Sequence, residues 1–199
     1  MDIKTKVHNS EDFLAVAKLH CGYINKGFLA TLGVPFLALL YEAIDNDKES
    51  FLIVERFENK IIGFVCGTSG LKKIYFQLLF RPIRLISSLK SSIFSLSKIY
   101  KIFEIFKVSK NYTYSKKLPN EELLSIVVDP SHQGDGHAET LFNALCLRFK
   151  ENEKKSFKII VGSNLDRAHS FYTKMGAAPI SRVQVHKGKD SIIYLKKLA

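Results

Sequence analysis

The chain has 199 residues, 46% of them apolar and 25% charged, with 15 Phe and 8 Tyr to fill a core; this excludes wholesale disorder and suits one well-buried domain, not two. The formal net charge is +11, but eleven basic residues against the single acid Glu104 lie within residues 71–118, so the excess belongs to that segment and the rest of the chain is nearly neutral. Cys21, Cys66 and Cys146 are odd in number, far apart and without zinc-site spacing, so they are expected to be reduced, buried thiols of a cytoplasmic protein, with no metal site. The opening Met-Asp-Ile-Lys-Thr-Lys has no apolar core, and the longest uncharged run, residues 27–41, is too short for a bilayer and carries Gly33 and Pro35; neither a targeting segment nor a membrane span is expected.

In chain order, residues 2–7 read as a strand. Asn9-Ser10-Glu11-Asp12 then combines a capping side chain with first-turn acids and opens a helix with an apolar stripe of Phe13, Val16, Ala17, Leu19 and His20. A second helix is predicted over residues 34–44, with Pro35 in its first turn. Residues 51–57 and 60–68 are aromatic and β-branched runs separated by Glu58-Asn59, a hairpin. After the basic segment, residues 122–128 form an apolar strand that stops at Asp129-Pro130, followed by a glycine-containing turn and a helix with Ala138, Leu141, Phe142, Leu145 and Phe149 on one face. A strand over 157–161, a short helix over 165–175 ended by Gly176, and strands over 180–186 and 191–195 complete the chain.

A buried strand that runs through a tight glycine turn into a helix offers unpaired backbone N–H groups and the positive helix end to an anion, and Gly134 and Gly136 keep side chains out of the way. Taken alone, such a turn is weak evidence for a ligand site, because any strand-to-helix turn can need glycine for positive φ. The flanking residues say more. Val127-Val128-Asp129-Pro130 ahead of Gln133-x-x-Gly136-x-Ala138, with Asn164-x-x-x-Ala168-x-x-Phe171-Tyr172-x-x-x-Gly176 one strand later, resembles the GNAT superfamily of acetyl-coenzyme A dependent N-acetyltransferases. The match is specific over residues 122–176, and the element order extends it to the whole chain except 71–118.

The resemblance implies an α/β (α+β) fold: a single domain with a mixed, mostly antiparallel sheet of six or seven strands flanked by helices, carrying a helical insertion at about 71–118. It implies acetyl-CoA as cosubstrate, bound along Ile126, Val127 and Val128, with its pyrophosphate on the loop of Gln133, Gly134, Asp135, Gly136, His137 and Ala138, and with Asn164 in contact. Tyr172 matches the general acid, since a phenol of pKa about 10 stays protonated at neutral pH. Glu122 fits a glutamate that acts as general base through water in some members; its bland counterpart is a solvated charge beside Glu121. Asn164 as a helix cap, Tyr172 as packing beside Phe171, and His20 as a core histidine rather than a catalytic one are the corresponding structural alternatives. Two positions depart from the family pattern, Asp135 where a basic residue is usual and His137 where an apolar one is.

The basic segment is amphipathic: Ile86, Leu89, Ile93, Leu96, Tyr100 and Phe103 repeat at three and four, and Arg81-Pro82 marks a helix break ahead of them. It reads as a hairpin buried on the domain or on a second copy in a homodimer, as a lid over the acceptor, as a peripheral helix on anionic lipid, or as a trap for a phosphate-bearing acceptor. Nucleic acid is disfavoured because the aromatics follow the apolar seam instead of alternating with the basic residues. The expected activity is acetyl transfer to the primary amine of a small or carrier-linked acceptor, an amino sugar or other phosphate-bearing amine; the rival reading is a non-catalytic CoA-binding or membrane-docking module on the same fold.

Overall fold

The computed structural model describes residues 2–4, 9–24, 29–79, 82–89, 118–186 and 189–198. Its elements are β1 (Asp2–Lys4), α1 (Ser10–Tyr23), a 3-10 turn (Leu29–Leu32), α2 (Val34–Asp45), β2 (Phe51–Phe57), β3 (Lys60–Thr68), α3 (Leu71–Leu79), α4 (Pro82–Leu89), β4 (Glu122–Val128), a 3-10 turn (Pro130–His132), α5 (His137–Glu151), β5 (Ser156–Gly162), α6 (Asp166–Lys174), β6 (Ala178–His186) and β7 (Lys189–Lys197). The seven strands form one sheet in the order β1-β2-β3-β4-β5-β7-β6. All neighbours are antiparallel except β4 and β5.

Local chemistry sets the boundaries. Asn9 caps α1 by accepting from the Asp12 N–H at 2.7 Å. Pro35 occupies the first turn of α2, where its missing N–H costs nothing. Glu58 and Asn59 both take positive φ (48° and 63°), the primed geometry that matches the twist of a two-residue hairpin. Pro82 opens α4, where the sequence predicted a break.

Alternation along the strands divides the core in two. Leu52, Val54, Phe64, Cys66 and Val127 meet α1, α2 and α3 on one face of the sheet. Phe51, Ile53, Val65, Leu123 and Val128 meet α5 and Tyr172 of α6 on the other. Of the thiols expected to be buried, only Cys66 is fully so; Cys21 and Cys146 are half-buried against the edges of the two cores, and all three are free. Among the described residues no helix is long and apolar enough to cross a membrane.

The start of the basic segment is docked, not free. Ile74, Tyr75 and Leu78 of α3 are buried in the α1/α2 core. Lys73 Nζ lies 2.8 Å from Asp47 Oδ2, and Arg84 grips Glu42 of α2 with both nitrogens, at 2.8 and 2.6 Å. Ile93, Leu96, Tyr100 and Phe103 of the predicted seam lie outside the described residues, as do the side chains of Ile86 and Leu89.

The close approach of α5 to β3 depends on Gly67, where a Cβ would stand 2.7 Å from Leu145 Cδ1 and 2.9 Å from Phe149 Cζ. Gly67→Ala is expected to cost about 1–3 kcal/mol of stability through overpacking. Thermal unfolding should register this at about 2–4 °C per kcal/mol.

Candidate active site

The parallel β4–β5 pairing is confined to two residue pairs, Glu122 with Lys158 and Leu123 with Ile159; beyond them the strands part. The parting coincides with a bulge. Against β3, Gly67 pairs with Leu123 and Cys66 with Ser125, so Leu124 is the extra residue. Further along, the Asp129 N–H donates to Ile62 O at 2.7 Å, and the alternation of strand backbone then turns Val127 toward β3 while Ile126 and Val128 face the gap left by β5. Of the backbone groups predicted to line a cofactor slot, those of Ile126 and Val128 are therefore suitably aimed, and Val127 contributes no free backbone group because it belongs to the β3 ladder. The Gln133 side chain, predicted to lie beside the pyrophosphate, instead donates from Nε2 to Val128 O at 3.0 Å and closes the end of the gap.

The loop that follows has the backbone its glycines allow. Gly134 has φ 101° and Gly136 φ 85°, and a Cβ at either would meet nothing within 4 Å. Conformation, not crowding, therefore requires glycine here, and the space above each is open to a ligand. Gly136 caps α5 without a side chain, so the first-turn N–H groups of His137 and Ala138 face this concavity with no capping oxygen from it. Asp135 is exposed, with its carboxylate in water. His137 does not sit at the surface: its ring turns inward, is 6% exposed and places Nδ1 2.9 Å from Glu55 Oε1.

Tyr172 is 7% exposed among the rings of Phe142, Phe171 and Tyr194, with centroids 5.3–6.2 Å away. Burial pushes its phenol well above the ordinary range. Lys174 Nζ reaches Glu139 Oε1 at 3.0 Å, fastening the end of α6 to the first turn of α5. His169 bridges Gly162 O (3.1 Å) and Tyr194 Oη (2.9 Å), setting α6 against the end of β5. Asn164 is exposed in the turn before α6, which is capped at Leu165, so the helix-cap alternative for Asn164 is not realised.

Glu122 is not a solvated charge. Its side chain is 20% exposed, and burial pushes its carboxyl above the usual 4.5, only partly offset by Lys158 Nζ at 3.5 Å. That lysine also donates to Pro119 O and Asn120 O at 2.8 and 3.2 Å, which fixes the entry into β4. Burial, with a smaller contribution from the Glu122 charge, pushes the phenol of Tyr75 in α3 up to about 12.

His20 is closed off from solvent at 3% exposure, and burial pushes its imidazole down to about 4, so it is neutral. Its Nδ1 is 2.6 Å from Tyr41 Oη, which is 3.1 Å from Ser125 Oγ; the chain of contacts ends on the β4 bulge. Sequence reasoning did not single out Glu55, Tyr41, Ser125 or Lys158. The available signal was a polar residue in an apolar strand, as in Leu52-Ile53-Val54-Glu55, which does not by itself name a partner.

A sheet opened between two parallel strands, with a glycine loop at the mouth and a helix N-terminus behind it, is a cleft suited to an extended, anion-bearing ligand. The sequence matches the acetyltransferase (GNAT) family over residues 24–177, and the chain belongs to that family; it is an acyltransferase. No curated protein is similar enough in sequence to match it. Among solved structures, an N-acetyltransferase from Staphylococcus aureus Mu50 is similar with TM-score 0.63 at 13% identity, over 100% of both chains. An aminoglycoside 6'-N-acetyltransferase complexed with coenzyme A gives 0.63 at 13%, over 100% of this chain and 98% of the other. An aminoglycoside 6'-acetyltransferase type Ii gives 0.62 at 14%, over 100% and 98%. At such identities the likeness is one of fold.

Gly136→Val would force a β-branched residue to φ 85° and put its side chain into the open concavity. Coenzyme A binding by calorimetry should be lost, while the backbone penalty on stability stays near 1–2 kcal/mol.

Proposed function

We propose that this protein transfers the acetyl group of acetyl-coenzyme A to a primary amine on a small or carrier-linked acceptor, such as an amino sugar or another phosphate-bearing amine. The observation that carries the reading is the gap between β4 and β5, lined by the outward-turned backbone of Ile126 and Val128 and opening onto the Gly134–Gly136 loop. An extended pantetheine arm would pair with that backbone as an added strand. The loop N–H groups and the positive end of α5 would hold the pyrophosphate. Asn164, exposed at the end of β5, would contact the same ligand from the opposite wall.

Bound acetyl-coenzyme A supplies an activated thioester. The chain supplies position, a base and an acid. Glu122, with its carboxyl raised toward working pH, would take the ammonium proton through water; Lys158 keeps it oriented. Tyr172, whose phenol holds its proton throughout the physiological range, would donate it to the departing sulfur. The described start of the insertion, residues 71–79 and 82–89, is read as a wall on the acceptor side. The ion pairs of Lys73 and Arg84 with Asp47 and Glu42 support this over a free interfacial helix, because the start of the segment is already committed to the domain. Release of free thiol from acetyl-coenzyme A with a panel of amines tests the whole reading: turnover with one acceptor class supports it, and binding without turnover for any amine returns the chain to a docking role.

Tyr172→Phe should lower kcat by about 10²–10⁴-fold while coenzyme A affinity stays within about twofold, because the hydroxyl is needed only as the sulfur leaves. A fall in affinity equal to the fall in kcat would make Tyr172 a packing residue.

Glu122→Gln should remove the rising limb of the pH profile of kcat/KM, which in the unmodified enzyme lies above the ordinary carboxylate value of 4.5. The same substitution reads out in stability. The folded protein holds this proton more tightly than the unfolded chain, so the contribution is fully present below about pH 4.5 and lost as pH rises through the raised folded value. Denaturant titrations from pH 4 upward should show that loss in the wild type and not in Glu122→Gln.

A further inference from the structure

The Glu55–His137 contact belongs to no motif and has an unusual position. Glu55 is 1% exposed on β2, at the bulge between Glu55 and Arg56, and its cross-strand neighbour on β3 is Gly63. Gly63 has no room for a side chain: a Cβ there would stand 2.9 Å from Val127 O and 3.2 Å from Leu141 Cδ1. The first turns of α5 thus press directly on the sheet beside Glu55, and the carboxylate reaches the imidazole of the first α5 residue. A second contact runs the same way, with His132 of the preceding turn edge-on against His137 (centroids 6.0 Å) and tilted against Phe57 of β2 (5.3 Å).

The pair is poorly built for stability alone. Among the described residues, Glu55 Oε2 is buried without a hydrogen-bond partner, a cost that an apolar pair of the same size would avoid. What the contact does supply is direction, since it fixes the rotation of the first turn of α5 about the helix axis.

We propose that Glu55 and His137 are positioning residues for the anion cradle: the buried hydrogen bond sets the aim of the Gly136, His137 and Ala138 N–H groups. The inference rests on the reading of that cradle as the pyrophosphate site. Glu55 itself touches no ligand. It acts through His137, the first residue of α5, whose Nδ1 it meets at 2.9 Å.

The test is coenzyme A titration calorimetry beside thermal unfolding for the wild type, His137→Leu, His137→Gln and Glu55→Gln. His137→Leu should bind about tenfold more weakly while still unfolding cooperatively above the assay temperature, because misaimed donors and not a lost fold are responsible. His137→Gln and Glu55→Gln, which keep a buried hydrogen bond, should stay within about threefold of wild type. In the ligand-free protein, the amide resonances of Gly136 and Ala138 should move in His137→Leu and stay in place in Glu55→Gln. Wild-type affinity in folded His137→Leu overturns the proposal, as does a Glu55→Gln variant as weak as His137→Leu. If His137→Leu does not fold, Glu55→Ala against Glu55→Gln decides on the same terms. If the wild type itself does not bind coenzyme A, the reading of the cradle fails first and the positioning role falls with it.

Discussion

The divergence of β4 from β5 after Leu123 is the constraint on which the rest of the structure turns. Backbone N–H and C=O groups inside a sheet are ordinarily paired, and leaving a run of them without a ladder partner is costly unless a ligand, a side chain or water takes the partner's place. The chain manages this in two ways. The bulge at Leu124 bends β4 where pairing ends, and Gln133 folds back on the Val128 carbonyl. Among the described residues, what remains without a ladder partner is an edge within the sheet, the slot proposed for the extended ligand.

Polar side chains placed inside the core hold this opening. Ser125, next to the bulge, is tied through Tyr41 to the neutral His20, so α1 and α2 are indexed to β4 by hydrogen bonds as well as by apolar packing. On the opposite face, Glu55 and His137 index α5 to β2. Buried polar contacts add little net stability over apolar ones of the same shape, but they tolerate only one geometry. Both sets meet the sheet within a few residues of the gap, where geometry matters most.

The concentration of positive charge in residues 71–118 looks from composition like a surface for an anionic partner. In the fold, Lys73 and Arg84 are turned onto Asp47 and Glu42 of the domain, and the apolar residues of α3 enter the same core as α2. Part of the charge thus serves attachment.

Sequence alone determined what depends on local rules. The capped start of α1, the hairpin at Glu58-Asn59, the stop at Asp129-Pro130, the positive-φ glycines and the face of α5 follow from spacing and backbone chemistry within a few residues, and each is found in place. The motif around Gly136 and Tyr172 was legible for the same reason. Contacts between residues distant along the chain were not: Glu55 with His137 is separated by 82 positions and Tyr41 with Ser125 by 84, and no periodicity links them. Likewise, the sequence leaves Glu122 open between a general base and a solvated charge beside Glu121, and only the packing of β4 between its neighbours removes its water and raises its carboxyl. Burial and partner choice are properties of the assembled sheet, so they were decided by the tertiary structure.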